Sequence, residues 1–119
     1  MAMTVLIVDD HPTFRRFARQ LLQDGGFAVV GEACDGAGGL DAARSLRPDA
    51  VLLDVLLPDQ SGLDVAAELA RDELAPAVVL TSSRSAGDLG VALRDAPVRG
   101  FIPKADLTAA GLATLLEKP

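Results

Sequence analysis

Residues 4–12 read Thr4-Val5-Leu6-Ile7-Val8-Asp9-Asp10-His11-Pro12, a short apolar run rich in β-branched residues that stops at two acids. A run with no polar face is the pattern of a strand covered on both sides within a parallel sheet. Runs of the same kind recur at 27–31 (FAVVG), 50–53 (AVLL), 77–80 (AVVL) and 100–102 (GFI), bounded by Asp, Pro, Gly or Ser. Five strands follow.

Between these runs the spacing changes. Phe14, Phe17, Ala18, Leu21 and Leu22 recur at intervals of three and four, with Arg15, Arg16, Arg19 and Gln20 on the other face, as in an amphipathic helix. Pro12 stands near its start and Gly25-Gly26 just past its end. Weaker versions of the pattern occupy 39–46, 63–69, 89–93 and 107–116, the last ending at about Glu117. The order is βαβαβαβαβα. Right-handed crossovers then put helices on both faces of one sheet, predicting a doubly wound, three-layer α/β/α sandwich of five parallel strands and five helices. The glycines at 36, 38 and 39 read as a flexible turn, because no lysine follows them in a phosphate-loop pattern.

The 119 residues fit one domain, expected over 4–117 with no second domain in this chain. Apolar residues make up 50% and charged ones 24%, a globular composition, and a net charge of −6 repels phosphate backbones, so direct nucleic-acid binding is not expected. The lone Cys34 has no internal disulfide partner and reads as a buried small hydrophobe. No run reaches the roughly 18 apolar residues of a membrane span, and the N-terminus lacks the order of a signal peptide, so a cytoplasmic location and no membrane contact are expected. With no Trp or Tyr, the core must come from Ala, Val and Leu. Met1-Ala2-Met3 offers two candidate starts, and its first two residues are given no structural role.

In a doubly wound sheet the ligand crevice lies outside the carboxyl ends of the strands. Reading only the residues there gives Asp9 and Asp10 after the first strand, Asp54 after the third, Thr81 and Ser82 after the fourth, and Lys104 after the fifth. Two carboxylates about 4 Å apart repel by on the order of 4 kcal/mol at an effective dielectric near 20. Lys104 offsets one charge. A hard divalent cation with oxygen ligands relieves the rest, Mg²⁺ more naturally than Ca²⁺ because few protein ligands are available.

Val8-Asp9-Asp10, Asp54 within LDVLLPDQSG at 53–62, Thr81-Ser82 and the FIPK run at 101–104 together resemble the receiver domain of two-component response regulators over residues 4–117. The opening Asp9-Asp10-His11-Pro12 is most similar to the subclass whose receivers precede a helix-turn-helix output. The resemblance implies a flavodoxin-like sheet of strand order 2-1-3-4-5. It implies Asp54 as phosphoacceptor for the phosphohistidine of a sensor histidine kinase, and Mg²⁺ (with Mn²⁺ as a substitute) held by Asp9, Asp10, Asp54 and the backbone carbonyl of Leu56. Thr81 and Lys104 would meet the phosphoryl oxygens, and Thr81, Ser82 and Phe101 would act as the switch that alters the fourth helix, fifth strand and fifth helix. The domain would be a phosphoacceptor with slow self-dephosphorylation rather than an enzyme. Its partners would be the kinase, a homodimer mate on phosphorylation and a DNA-binding, transcriptional output domain outside this chain.

Three positions depart from the family. Leu56 stands where an amide or carboxylate could orient a hydrolytic water, a role Ser83 could still fill. Ala105 replaces the proline that commonly follows the lysine, with Pro103 one position early, and Phe101 replaces a tyrosine. His11 reads as a capping or solvent-facing residue, and Arg15, Arg16 and Arg19 as a solvated face with kinase docking as the lesser alternative. A dinucleotide-binding enzyme needs glycines after the first strand, and a haloacid-dehalogenase-type phosphatase needs an acid at position 56; neither is present. The remaining rival is a receiver-like binding or dimerisation module that acts without phosphorylation.

Overall fold

The computed structural model describes residues 2–83 and 92–117. Strands β1 (Thr4–Val8), β2 (Ala28–Ala33), β3 (Ala50–Asp54), β4 (Ala77–Ser82) and β5 (Gly100–Pro103) form one parallel sheet in the order β2-β1-β3-β4-β5. The expected order is met.

The central strands are apolar throughout because both of their faces are covered. Leu6, Val8, Val51, Leu53, Val78 and Leu80 pack against one helical layer through Leu40, Val65 and Leu69. Val5, Ile7, Leu52 and Val79 turn to the other, against Ala18, Leu22, Leu112 and Leu116. Those layers are α2 (Gly36–Leu46) and α3 (Gly62–Ala70) on one side, α1 (Pro12–Asp24) and α5 (Ala109–Leu116) on the other. Such alternation within a continuous run is what two buried faces demand.

Several boundaries move for physical reasons. β2 is not buried on both faces: it is the sheet edge, and its pairing with β1 skips one residue, Val29 opposite Val5 but Gly31 opposite Leu6, leaving Val30 exposed. Residues 36, 38 and 39 are not a flexible turn but the opening of α2. Asp35 caps it by accepting from the Gly38 N–H at 2.7 Å. Gly39 is needed for close helix–strand approach, since a Cβ there would sit 2.9 Å from Val8 Cγ1. α5 begins after Thr108, whose hydroxyl accepts from the Gly111 N–H, so Leu107 is buried but not helical; Lys104–Asp106 form a 3₁₀ turn instead. Of the fourth predicted helix, residues 89–91 lie outside the described residues, and the described part is the single turn α4 (Ala92–Asp95).

Helix α1 starts with Pro12 in its first turn and ends at Gly25-Gly26, where Gly26 takes φ +96°. Its buried stripe is narrower than its spacing suggests. Ala18 and Leu22 are buried, whereas Phe17 is 51% exposed. Arg15 and Arg19 are not a free solvated face: their Nε atoms clasp the two oxygens of Glu32 on β2, at 3.0 and 2.6 Å. The reason is the open edge of β2, which leaves Glu32 beside the helix. Cys34, one residue past β2, is exposed rather than buried for the same reason.

Candidate functional site

The buried polar or charged residues among those described are Asp9, Asp54, Thr81 and Ser82, and all four lie at the carboxyl ends of β1, β3 and β4. The fold holds each in place. Asp9 extends the β1–β2 ladder through its N–H to the Ala33 carbonyl, and its own carbonyl accepts from Arg15 Nη1 at 2.6 Å. Asp54 ends β3 directly opposite Thr81 on β4. Ser82 pairs with Pro103.

Lys104 completes the group. Its Nζ lies 2.7 Å from Asp9 Oδ2 and 3.2 Å from Asp54 Oδ2, and 4.6 Å above the centre of the Phe14 ring. Pro103 closes β5 and the 3₁₀ turn aims the lysine inward, so Ala105 does not disturb its reach. Asp10 stands at the rim with about a third of its side chain exposed (35%). Ligand atoms of Asp9, Asp10, His11 and Asp54 all lie within 4.8 Å of one another.

Charge at this point is unbalanced. Three carboxylates face one ammonium, leaving two negative charges over, with His11 Nδ1 bridging Asp9 Oδ1 at 3.2 Å and Asp10 Oδ1 at 3.1 Å. Burial pushes the Asp54 carboxyl above its ordinary value. The Leu56 N–H opposes that shift, the Asp9 charge adds to it and Lys104 offsets it. The Thr81 hydroxyl is buried and has no hydrogen-bond partner among the described residues. Beside the cluster, His11, Thr13, Phe14, Phe17, Ser83 and Lys104 line an open cleft of about 580 Å³.

The chain from 5 to 116 matches the model of the response regulator receiver domain. It belongs to that family. The receiver domain is 46% identical to the nitrate/nitrite response regulator protein NarP of Escherichia coli (strain K12) over 102 residues, covering 84% of this chain and 47% of NarP. The DNA-binding response regulator MtrA of Mycolicibacterium smegmatis is 38% identical over 110 residues, 87% of this chain and 47% of MtrA. This receiver thus spans about half the length of these curated relatives. Among solved structures, the NarL signal receiver domain from Mycobacterium tuberculosis superposes with a TM-score of 0.86 at 31% identity, covering 98% of both chains. The domain is therefore a receiver of two-component signalling.

Of the residues singled out in the sequence, Asp9, Asp10, Asp54, Thr81 and Lys104 meet at one end of the receiver's sheet. Leu56 is half exposed (50%) and touches the cluster through its N–H, which donates to Asp54 Oδ1 at 3.1 Å. Phe101 pairs with Leu80 and packs, partly buried, on the α2–α3 side of the sheet. His11 stands at the N-cap of α1 and its ring makes no capping bond; it is solvent-facing, 65% exposed, with Nδ1 beside Asp9 and Asp10. Sequence reasoning missed Arg15, Phe14 and Asp59 as parts of the site's support. An arginine or phenylalanine in the first turn of a helix, or an aspartate after Pro58, carries no local mark of a partner 6 to 90 residues away.

Proposed function

We propose that this receiver accepts a phosphoryl group on Asp54 from the phosphohistidine of a sensor histidine kinase, and that residues 4–117 act as one unit in doing so. The observation that carries the reading is the convergence of Asp9, Asp10, Asp54, Thr81 and Lys104 on one point, where three carboxylates face one ammonium and two formal negative charges are left over. That excess, on carboxylate oxygens near a Thr81 hydroxyl with no hydrogen-bond partner among the described residues, fits a hard dication such as Mg²⁺, or Mn²⁺ in its place. Asp9, Asp10, Asp54 and the Leu56 carbonyl would hold it. Bound there, it would neutralise charge building on the phosphoryl oxygens.

The chain's own groups divide the remaining work. Leu56 N–H holds Asp54 Oδ1, while Oδ2 faces Lys104. That oxygen is the nucleophile: its bond to phosphorus forms as the bond to the donor imidazole nitrogen breaks, with no general base required. Lys104 and the Thr81 hydroxyl then stabilise the equatorial oxygens by position and charge. The cleft beside His11 and Ser83 gives the donor access.

Engagement of Thr81 draws the end of β4 inward, and Ser82 and Phe101 follow, altering the surface of α4, β5 and α5. The readout is a homodimer or a DNA-binding, transcriptional output domain outside this chain, in the cytoplasm. The domain itself supports its phosphorylation and slow self-dephosphorylation and is otherwise no enzyme. No helix among the described residues is long and apolar enough to cross a membrane. Intact-mass measurement after incubation with acetyl phosphate and Mg²⁺ tests the reading. The native chain is expected to gain one phosphoryl group and Asp54→Asn none; a native chain that stays unmodified even with its kinase would instead mark a constitutive binding module.

A further inference from the structure

The loop after Asp54 is pinned at its base and again at its tip. At the base, Leu56 and Ser61 form an antiparallel bridge and the Gly62 N–H donates to the Val55 carbonyl at 2.7 Å. At the tip, the Asp59 carboxylate reaches a different element. Its Oδ1 accepts from the Gly36 N–H at 2.8 Å and its Oδ2 from the Ala37 N–H at 3.0 Å, the first two residues of α2.

Those N–H groups have no acceptor within their own helix, and a charged acceptor makes both bonds short and strong. They hold the Asp59 carboxyl below the usual carboxylate range, the Gly36 N–H foremost. Gln60 closes the joint from the side: a Cβ on Gly36 would meet its Cγ at 2.5 Å. Yet α2 already has its own cap in Asp35. The second clasp therefore restrains the loop as well as the helix, and the loop carries Leu56, whose N–H holds Asp54 Oδ1.

We propose that Asp59 is a positioning residue for phosphoryl acceptance: by tying the tip of the Asp54 loop to the first turn of α2, it keeps Leu56 N–H on one oxygen of Asp54 and leaves the other turned to Lys104. This rests on Asp54 being the phosphoacceptor. The hydrogen bonds of Asp59 itself go to Gly36, Ala37 and Gln60, outside the acidic cluster.

The test compares Asp59→Ala and Asp59→Asn with Asp35→Ala, which removes the helix's own cap without touching the loop. Two quantities are read on the whole chain: the rate of phosphoryl gain from acetyl phosphate with Mg²⁺, and amide resonances and hydrogen exchange with no phosphoryl donor present. Asp35→Ala is expected to loosen the Gly38 amide and leave the Leu56 amide unmoved and the rate within about twofold. Asp59→Ala is expected to speed exchange at Gly36, Ala37 and Leu56 and to slow phosphorylation by about 5- to 20-fold, since small misplacements of reacting groups lose up to about 100-fold. Asp59→Asn keeps one acceptor oxygen and falls between. Equal rates in Asp35→Ala and Asp59→Ala, or a Leu56 amide that does not move in Asp59→Ala, overturn the proposal. A native chain that takes no phosphoryl group refutes the phosphoacceptor reading, and the Leu56 amide then decides the tether by itself.

Discussion

Asp54 is a carboxylate shielded from water, with one oxygen held by a backbone N–H and the other by Lys104. Two residues on, Leu56 presents a half-exposed apolar side chain beside the cluster and offers nothing to orient a water for hydrolysis. An amide there would. A Leu56→Asn variant is expected to lose its phosphoryl group about three to ten times faster than the native chain, a modest share of what positioned polar groups supply. Equal lifetimes by intact mass would count against it. At this scale the strand-end residues were legible because an acid, hydroxyl or lysine that closes an apolar run has little choice of direction. The environments of Cys34, Phe17 and Arg15 were not: the edge strand uncovers Cys34 and supplies Glu32 to Arg15, while Phe17 lines the open cleft beside Lys104 and Ser83.

The α1–β2 contact shows what an element gains from such an edge. Arg15 and Arg19 together grip Glu32, and the hydrogen bond from Arg19 foremost holds its carboxyl below the usual range despite partial burial. A carboxyl with a lowered folded value binds fewer protons in the native than in the unfolded chain. Its stabilisation is present above the unfolded value near 4.5 and is lost as pH falls through the lower folded one. Glu32→Gln is thus expected to be less stable at pH 7 by about 0.5–1 kcal/mol, the range of partly exposed ion pairs. Denaturant melts should show that gap closing as pH drops below the carboxylate range; a gap independent of pH would rule out the ion pair as its cause. Helix α2 makes the complementary point. Its glycines suggested a turn by composition, and a helix forms there because Asp35 and the distant Asp59 satisfy its first N–H groups.

Across the whole molecule, two apolar layers hold a sheet whose carboxyl edge concentrates negative charge. The fold tolerates that edge by means of Lys104 and, on the reading above, a dication. Thermal melts should therefore cross over. In metal-free buffer Asp54→Asn is expected to melt higher than the native chain, because it removes a buried charge facing Asp9. Added Mg²⁺ should stabilise the native chain by about 1.4 kcal/mol per tenfold increase above its dissociation constant and stabilise the variant less. Parallel responses would remove Asp54 from the ion's ligands.

The amino-acid sequence by itself determined the alternation of strands and helices, the two-sided burial of the central strands and the row of polar residues at their carboxyl ends. Each of these is a periodicity or a boundary between near neighbours along the chain. Tertiary structure alone decided that β2 slips one residue against β1, that Lys104 spans Asp9 and Asp54, and that Asp59 reaches α2. Those contacts join residues 23 to 95 positions apart, and only the packing of helices on the sheet brings such distant segments within hydrogen-bonding distance.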